Sequence, residues 1–185
     1  MNFSLLALSS RGKVFVNINK TALYWAVLLG GLFFPAAAWA ESTTVSANIS
    51  FDTPLSIVKN NDIDFGLVKA QQAGTYTIDT TGSVTPASGG EWIGGTSQAG
   101  SLTISGSSTQ TIDIAVEGYT ADTGVTPSDA TCAYNGGTEE ACSLSSQAAP
   151  GGGKTLLVGV KLTVDGNQTV GATASPSFDV TVTYH

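Results

Sequence analysis

The last eight residues, Phe178-Asp179-Val180-Thr181-Val182-Thr183-Tyr184-His185, alternate apolar and polar without a break. An extended chain sends successive side chains to opposite faces. A closing strand is therefore predicted, burying Phe178, Val180, Val182 and Tyr184 and turning Asp179, Thr181, Thr183 and His185 away. The clearest internal case is the row Leu156, Val158, Val160, Leu162 and Val164, with Gly159, Lys161 and Thr163 opposite. Near the other end, Val45, Ala47, Ile49 and Phe51 alternate with Thr44, Ser46, Asn48 and Ser50. Shorter strands are predicted at Leu102 and Ile104, over Ile112, Ile114 and Val116, and over 54–58, 63–68 and 75–79. After Ala40 no window sustains the i, i+3, i+4, i+7 apolar spacing of a helix. About seven to nine short strands between Gly, Ser, Asn and Asp turns predict an all-β fold, an immunoglobulin-like antiparallel sandwich. Two stretches, 85–100 and 120–153, lack a strand signal and read as long loops around small hairpins.

The first forty residues follow a different pattern. Arg11, Lys13 and Lys20 precede a continuous apolar run from Ala22 to Phe34, and Pro35 and then Ala38-Trp39-Ala40 follow it. A basic region, a short apolar stretch and a small-x-small end form the pattern of a cleaved secretory signal, here predicted to be cut after Ala40. The thirteen apolar residues fall short of the roughly 20 that a membrane-spanning helix needs. The expected organisation is a signal peptide at 1–40, an N-terminal extension or first strand at 41–52, and a sandwich domain at 53–185, with no membrane span in the mature chain.

Removing that leader changes the charge. Residues 41–185 carry four lysines, no arginine and all fourteen carboxylates, a net charge of −10. Nucleic acid is excluded as a partner, because phosphates require clustered Lys and Arg to displace their counterions.

Candidate chemistry is sparse. Cys132 and Cys142 flank the turn signal Asn135-Gly136-Gly137, and an exported chain reaches an oxidising compartment, so a disulfide is expected. His185 is the sole histidine and ends the chain. A general base needs a fixed setting, so no catalytic residue is assigned and the protein is expected not to be an enzyme. The pairs Asp62/Asp64 and Glu139/Glu140 read as solvated turn residues, and no metal or cofactor is expected. Calcium on Asp122, Asp129, Glu139 and Glu140 is the alternative weighed there. Trp92, in a glycine-rich setting, is expected to fold back on the sandwich with Ile93 rather than to stack on a sugar.

The terminal strand with its penultimate Tyr184, and Gly171 fourteen residues before the last position, resembles the chaperone-recognition end of a periplasmic pilus subunit. A second resemblance covers nearly all of the chain beyond the leader. Its motifs are Thr53-Pro54-Leu55-Ser56-Ile57, Asp62-Ile63-Asp64-Phe65-Gly66-Leu67-Val68, Ala73-Gly74-Thr75-Tyr76-Thr77-Ile78, Leu102-Thr103-Ile104-Ser105-Gly106, Gly171 and the closing Val180-Thr181-Val182-Thr183-Tyr184. They are similar to the secreted bacterial β-domain family called domain of unknown function 4402, which implies a fimbrial or related surface protein of Gram-negative bacteria.

Two readings follow. In the first, the protein is a structural subunit of a surface fibre joined by strand donation and serving cell adhesion. Val45, Ala47, Ile49 and Phe51 would be the donor row; Gly171, Phe178, Val180, Val182 and Tyr184 would border the acceptor groove and be held by a periplasmic chaperone before an outer-membrane usher. The expected route is the periplasm, then the cell surface or medium. In the second, it is a self-contained secreted module that binds carbohydrate or a surface protein through loops 85–100 and 120–153.

Overall fold

The computed structural model describes residues 41–185. The predicted leader and its cleavage site lie outside the described residues. Residues 41–55 carry no strand, and the apolar row that begins them is open to solvent, Val45 at 87%, Ile49 at 76% and Phe51 at 87% exposed.

The remainder is all-β, with twelve strands among the described residues. They are β1 (Ser56–Asn61), β2 (Leu67–Val68), β3 (Gly74–Ile78), β4 (Val84–Ala87), β5 (Trp92–Gly94), β6 (Gly100–Ser105), β7 (Ile112–Thr120), β8 (Val125–Tyr134), β9 (Glu140–Ala141), β10 (Ser143–Gln147), β11 (Lys154–Val164) and β12 (Ser177–Tyr184). The count exceeds the expected seven to nine chiefly because β2, β5 and β9 are only two or three residues long.

All pairings are antiparallel. Strand β11 is the spine of the larger sheet: β8 runs along one side of it, and β6 and then β3 share the other. Beyond them β1 pairs β6 and β4 pairs β3. The second sheet has the order β10-β7-β12, and β2 with β5 forms a separate ribbon. The inner faces of the two larger sheets build one core around Ile78, Ile104, Ile112, Ile114, Leu156 and Val158, none more than 1% exposed.

The structure corrects the expected long loops. The stretch 120–153 contains β8, β9 and β10, and 85–100 contains β5 and most of β4. The β8–β11 register shifts between Gly159 and Lys161, and Asp129 takes a φ of 48°. Such a bulge adds a residue to one strand and reverses its phase. Buried side chains accordingly fall at Val125 and Pro127 before it and at Ala130, Cys132 and Tyr134 after it. An unbroken period of two cannot recognise that strand. The strand expected over 63–68 shrinks to β2, because Gly66 turns the chain at a φ of 70° while its N–H is held by Asp64 Oδ1 at 2.8 Å.

Candidate functional site

The two edges of the sandwich are built differently. At one edge the chain steps from β9 in the larger sheet to β10 in the smaller through Cys142. The backbone of that residue bonds both sheets, its N–H donating to the Ala130 carbonyl at 3.0 Å and its carbonyl accepting from Val116 N–H at 3.1 Å. Its sulfur is joined to Cys132 on β8. The turn after β8 places Asn135 and Gly136 at φ 52° and 74°, and Gly137 N–H closes it on the Tyr134 carbonyl at 2.9 Å. Asn-Gly is the pair that tolerates two successive positive φ values. The expected disulfide and its turn are both present.

The opposite edge is open. Strand β12 pairs β7 along one side, and among the described residues no strand pairs its other side. Phe178, Val180, Val182 and Tyr184 point inward to the core cluster but stay only half-buried. Beside them lies a cavity of about 1110 Å³, lined by inward residues of β11, by Ser177, Phe178, Asp179 and Val180 of β12, and by residues of the segments 61–70 and 168–176. Val160, Leu162, Phe65, Phe178 and Val180 contribute apolar walls, and Gly171 is also in the lining. The lining includes Phe178 and Val180 but stops short of Val182. It is a partly apolar hollow, with Lys59, Asp62, Asp64, Lys69 and Asp179 also in its lining, and it adjoins the free backbone edge of β12.

The chain enters the sandwich beside the far end of β12. The Tyr184 hydroxyl donates to the Thr53 carbonyl at 2.5 Å and accepts from Ser107 N–H at 2.7 Å. Next to it Asp52 accepts the Ser107 hydroxyl at 2.7 Å and the Gln110 amide at 2.8 Å. The Ser107 hydroxyl, with help from Thr53 N–H, holds the Asp52 carboxyl below its usual range. Tyr184 thus does more than the sequence showed: besides filling the core face, it fastens residues 52–53 to the end of β12. Only the three-dimensional proximity of Thr53, Ser107 and Tyr184 reveals this.

The remaining candidates are scattered. His185 Nδ1 lies 3.1 Å from Asp113 Oδ2, and Ser146 N–H followed by His185 holds Asp113 below the ordinary carboxylate range. Asp62 pairs with Lys59 at 2.6 Å and Asp129 with Lys161 at 2.9 Å. Glu139 receives the backbone N–H and hydroxyl of Thr80 at 2.8 and 2.7 Å, and Asp122 receives Ser175 N–H at 2.7 Å. The acidic residues weighed for calcium therefore serve separate turns and strands, and no group of three potential metal ligands occurs among the described residues. Trp92 folds back, its indole N–H donating to the Phe65 carbonyl at 2.7 Å, whereas Ile93 is 62% exposed.

Fold and site together define a disulfide-stitched β-sandwich with one closed and one open edge. The model of the family described as domain of unknown function (DUF4402) matches residues 55–184, and the chain belongs to that family. No curated protein and no solved structure matches the chain.

Proposed function

We propose that this chain is a secreted, non-enzymatic structural subunit of a fimbria- or pilus-like surface fibre, polymerised by strand donation between like subunits. The observation that carries the reading is the unpaired edge of β12, with a partly apolar cavity beside its first half, in a chain that also owns an exposed, alternating segment at 43–51. The lengths agree. Nine extended residues reach about 30 Å, and the eight residues of β12 span about 26 Å. An inserted strand would give β12 the second partner that β11 already has, and would cover side chains that stand half in solvent.

Export fits the leader pattern and the disulfide, because such a bond persists in oxidising compartments. Before assembly, an apolar cleft with an open strand edge invites aggregation. A periplasmic chaperone that lends a temporary strand, and an outer-membrane usher that exchanges it, would solve that problem. Adhesion follows if the fibre displays the exposed ribbon of β2 and β5.

The experiment is Ile49→Asp in the exported full-length chain. A carboxylate cannot enter an apolar cleft without losing several kcal/mol of hydration. The expected protein is a folded monomer that melts below the assembled parent and forms no multimers resistant to sodium dodecyl sulfate. Unfolding by Ile49→Asp would instead place the segment in its own domain. The second reading, a self-contained binding module, draws on the exposed Leu67 and Ile93, 64% and 62% accessible on that ribbon; it requires the unaltered chain to purify as a soluble monomer.

A further inference from the structure

We infer that Asn135 is a site of spontaneous covalent modification in the folded protein: the Gly136 amide nitrogen closes on the Asn135 side chain, ammonia leaves, and the turn between β8 and β9 acquires aspartate or isoaspartate. The inference goes beyond the reading of the chain as a fibre subunit and does not depend on it. Water is the only co-reactant.

The chemistry sets the requirements. The Gly136 nitrogen gives its proton to solvent and attacks Asn135 Cγ, so that a C–N bond forms, the Cγ–Nδ2 bond breaks, and the departing nitrogen takes up a proton and leaves as ammonia. A five-membered succinimide then spans the two residues. Water opens that ring at one of its two carbonyls. Cleavage at Cγ gives aspartate on the original backbone; cleavage at the main-chain carbonyl gives isoaspartate, with the backbone routed through Cβ and Cγ. Nothing is oxidised or reduced. The attack therefore needs a backbone N–H free of a hydrogen bond, a carboxamide that no neighbour holds, a following residue without a side chain in the way, and solvent to carry the proton.

Asn135 meets all four. It and Gly136 are exposed, and a Cβ at Gly136 would meet no atom within 4 Å. The hydrogen bonds of the turn run through the amides on either side, Asn135 N–H donating to the Thr155 carbonyl at 2.8 Å and Gly137 N–H to the Tyr134 carbonyl at 2.9 Å. The Gly136 N–H and the Asn135 carboxamide have no partner among the described residues. Elsewhere in 41–185 the asparagines precede Ile49, Asn61, Asp62 and Gln168, all with side chains. Two of their carboxamides are also held, Asn60 by Thr103 at 2.9 Å and Asn167 by Asp165 at 3.0 Å. The Asp165-Gly166 pair could close the same ring, but that carboxylate is engaged by the Asn167 N–H at 2.9 Å and the Gln168 amide at 2.7 Å. The turn also registers the change. It sets β8 against β9 with Thr131 opposite Ala141 and Cys132 opposite Glu140, and isoaspartate lengthens the backbone between them by one carbon. The Cys132–Cys142 disulfide keeps the two strands joined meanwhile.

Ageing the folded protein tests the inference. The exported full-length chain, disulfide intact, is incubated at pH 8.5 and 37 °C and sampled over weeks by peptide mapping, with isoaspartate located by electron-transfer fragmentation. The expected result is a gain of one mass unit at Asn135 at least tenfold faster than at any other asparagine, as a mixture of aspartate and isoaspartate, together with a new acidic band on isoelectric focusing. Asn135→Gly is the matched control, because glycine takes the positive φ of that position without steric cost; it should melt like the parent and develop no such band. An Asn135 that keeps its mass in the folded protein, whether or not it reacts in denaturant, would overturn the inference. So would a mass gain that falls first on another asparagine, or an acidic band that persists in Asn135→Gly.

Discussion

Strands β11 and β12 present the same alternation to the same core, yet they end in different states. On β11, Leu156, Val158, Val160 and Val164 are between 0% and 7% exposed; on β12, Phe178, Val180, Val182 and Tyr184 are all only half-buried. Periodicity is not the cause, since β12 alternates more strictly. Neighbours are. Strand β11 has partners along both sides, whereas β12 has β7 on one side and a cleft on the other. Within β11, Leu162 is the inward residue left partly uncovered, although Val158, Val160 and Val164 line the same cavity and are buried. Burial of a strand is a property of its surroundings, and an alternating row without cover marks a place where something else fits.

The largest expected effect comes from the covered strand. Leu156→Ala should cost about 2–5 kcal/mol in denaturant unfolding, the range for truncating a buried leucine that leaves a cavity. Val180→Ala, on the half-covered strand, should cost the isolated domain only about 1 kcal/mol, because much of its surface already meets water. Equal losses at the two sites would break the comparison. Replacing both Cys132 and Cys142 with serine removes the covalent stitch from the closed edge. For a loop of this length the chain-entropy model gives a loss of about 2–3 kcal/mol, and multimer formation at the open edge should survive in the protein that remains folded.

Smaller effects sharpen the picture where residues 52–53 join the sandwich. Tyr184→Phe keeps the ring but leaves Ser107 N–H and the Thr53 carbonyl without their shared partner, which should lower unfolding stability by about 1–2 kcal/mol. Limited proteolysis near residues 52–53 should quicken in parallel. The smallest effect is with acid. Asp52 and Asp113 are hydrogen-bonded as anions and have carboxyls held below the usual range, by Ser107 and by Ser146 foremost. The unfolded chain therefore takes up their protons first. Their stabilisation is complete above a pH of about 4 and declines as pH falls further. Thermal melts from pH 6 to pH 2.5 should show a decline that Asp52→Asn makes shallower.

Much of the fold was legible in the chain, and the missing parts have physical causes. Strands β3, β6, β7, β11 and β12 stand where the alternation put them, since each keeps one phase over its buried stretch. Strand β8 was hidden because the bulge at Asp129 reverses its phase and because Pro127 and Ala130 are weak markers of a buried face. Strands β2, β5 and β9 are too short to express a period. At the candidate site, the inward row of β12 and the disulfide could be read from residue order. The open cleft could not, because it arises from the absence of a neighbour. Nor could the Tyr184 hydroxyl bridge, which joins residues separated by 131 positions.

The central claim is that β12 lacks a strand that residues 43–51 of another copy supply. The most direct measurement is complementation: a chain lacking residues 41–51 is mixed with a synthetic peptide of sequence 43–51, and hydrogen exchange is followed across 177–184. The account predicts that the peptide slows amide exchange along β12 at least tenfold and raises the melting temperature, while a peptide carrying Ile49→Asp does neither. Exchange along β12 that is already slow without peptide, and unchanged by saturating peptide, would contradict it.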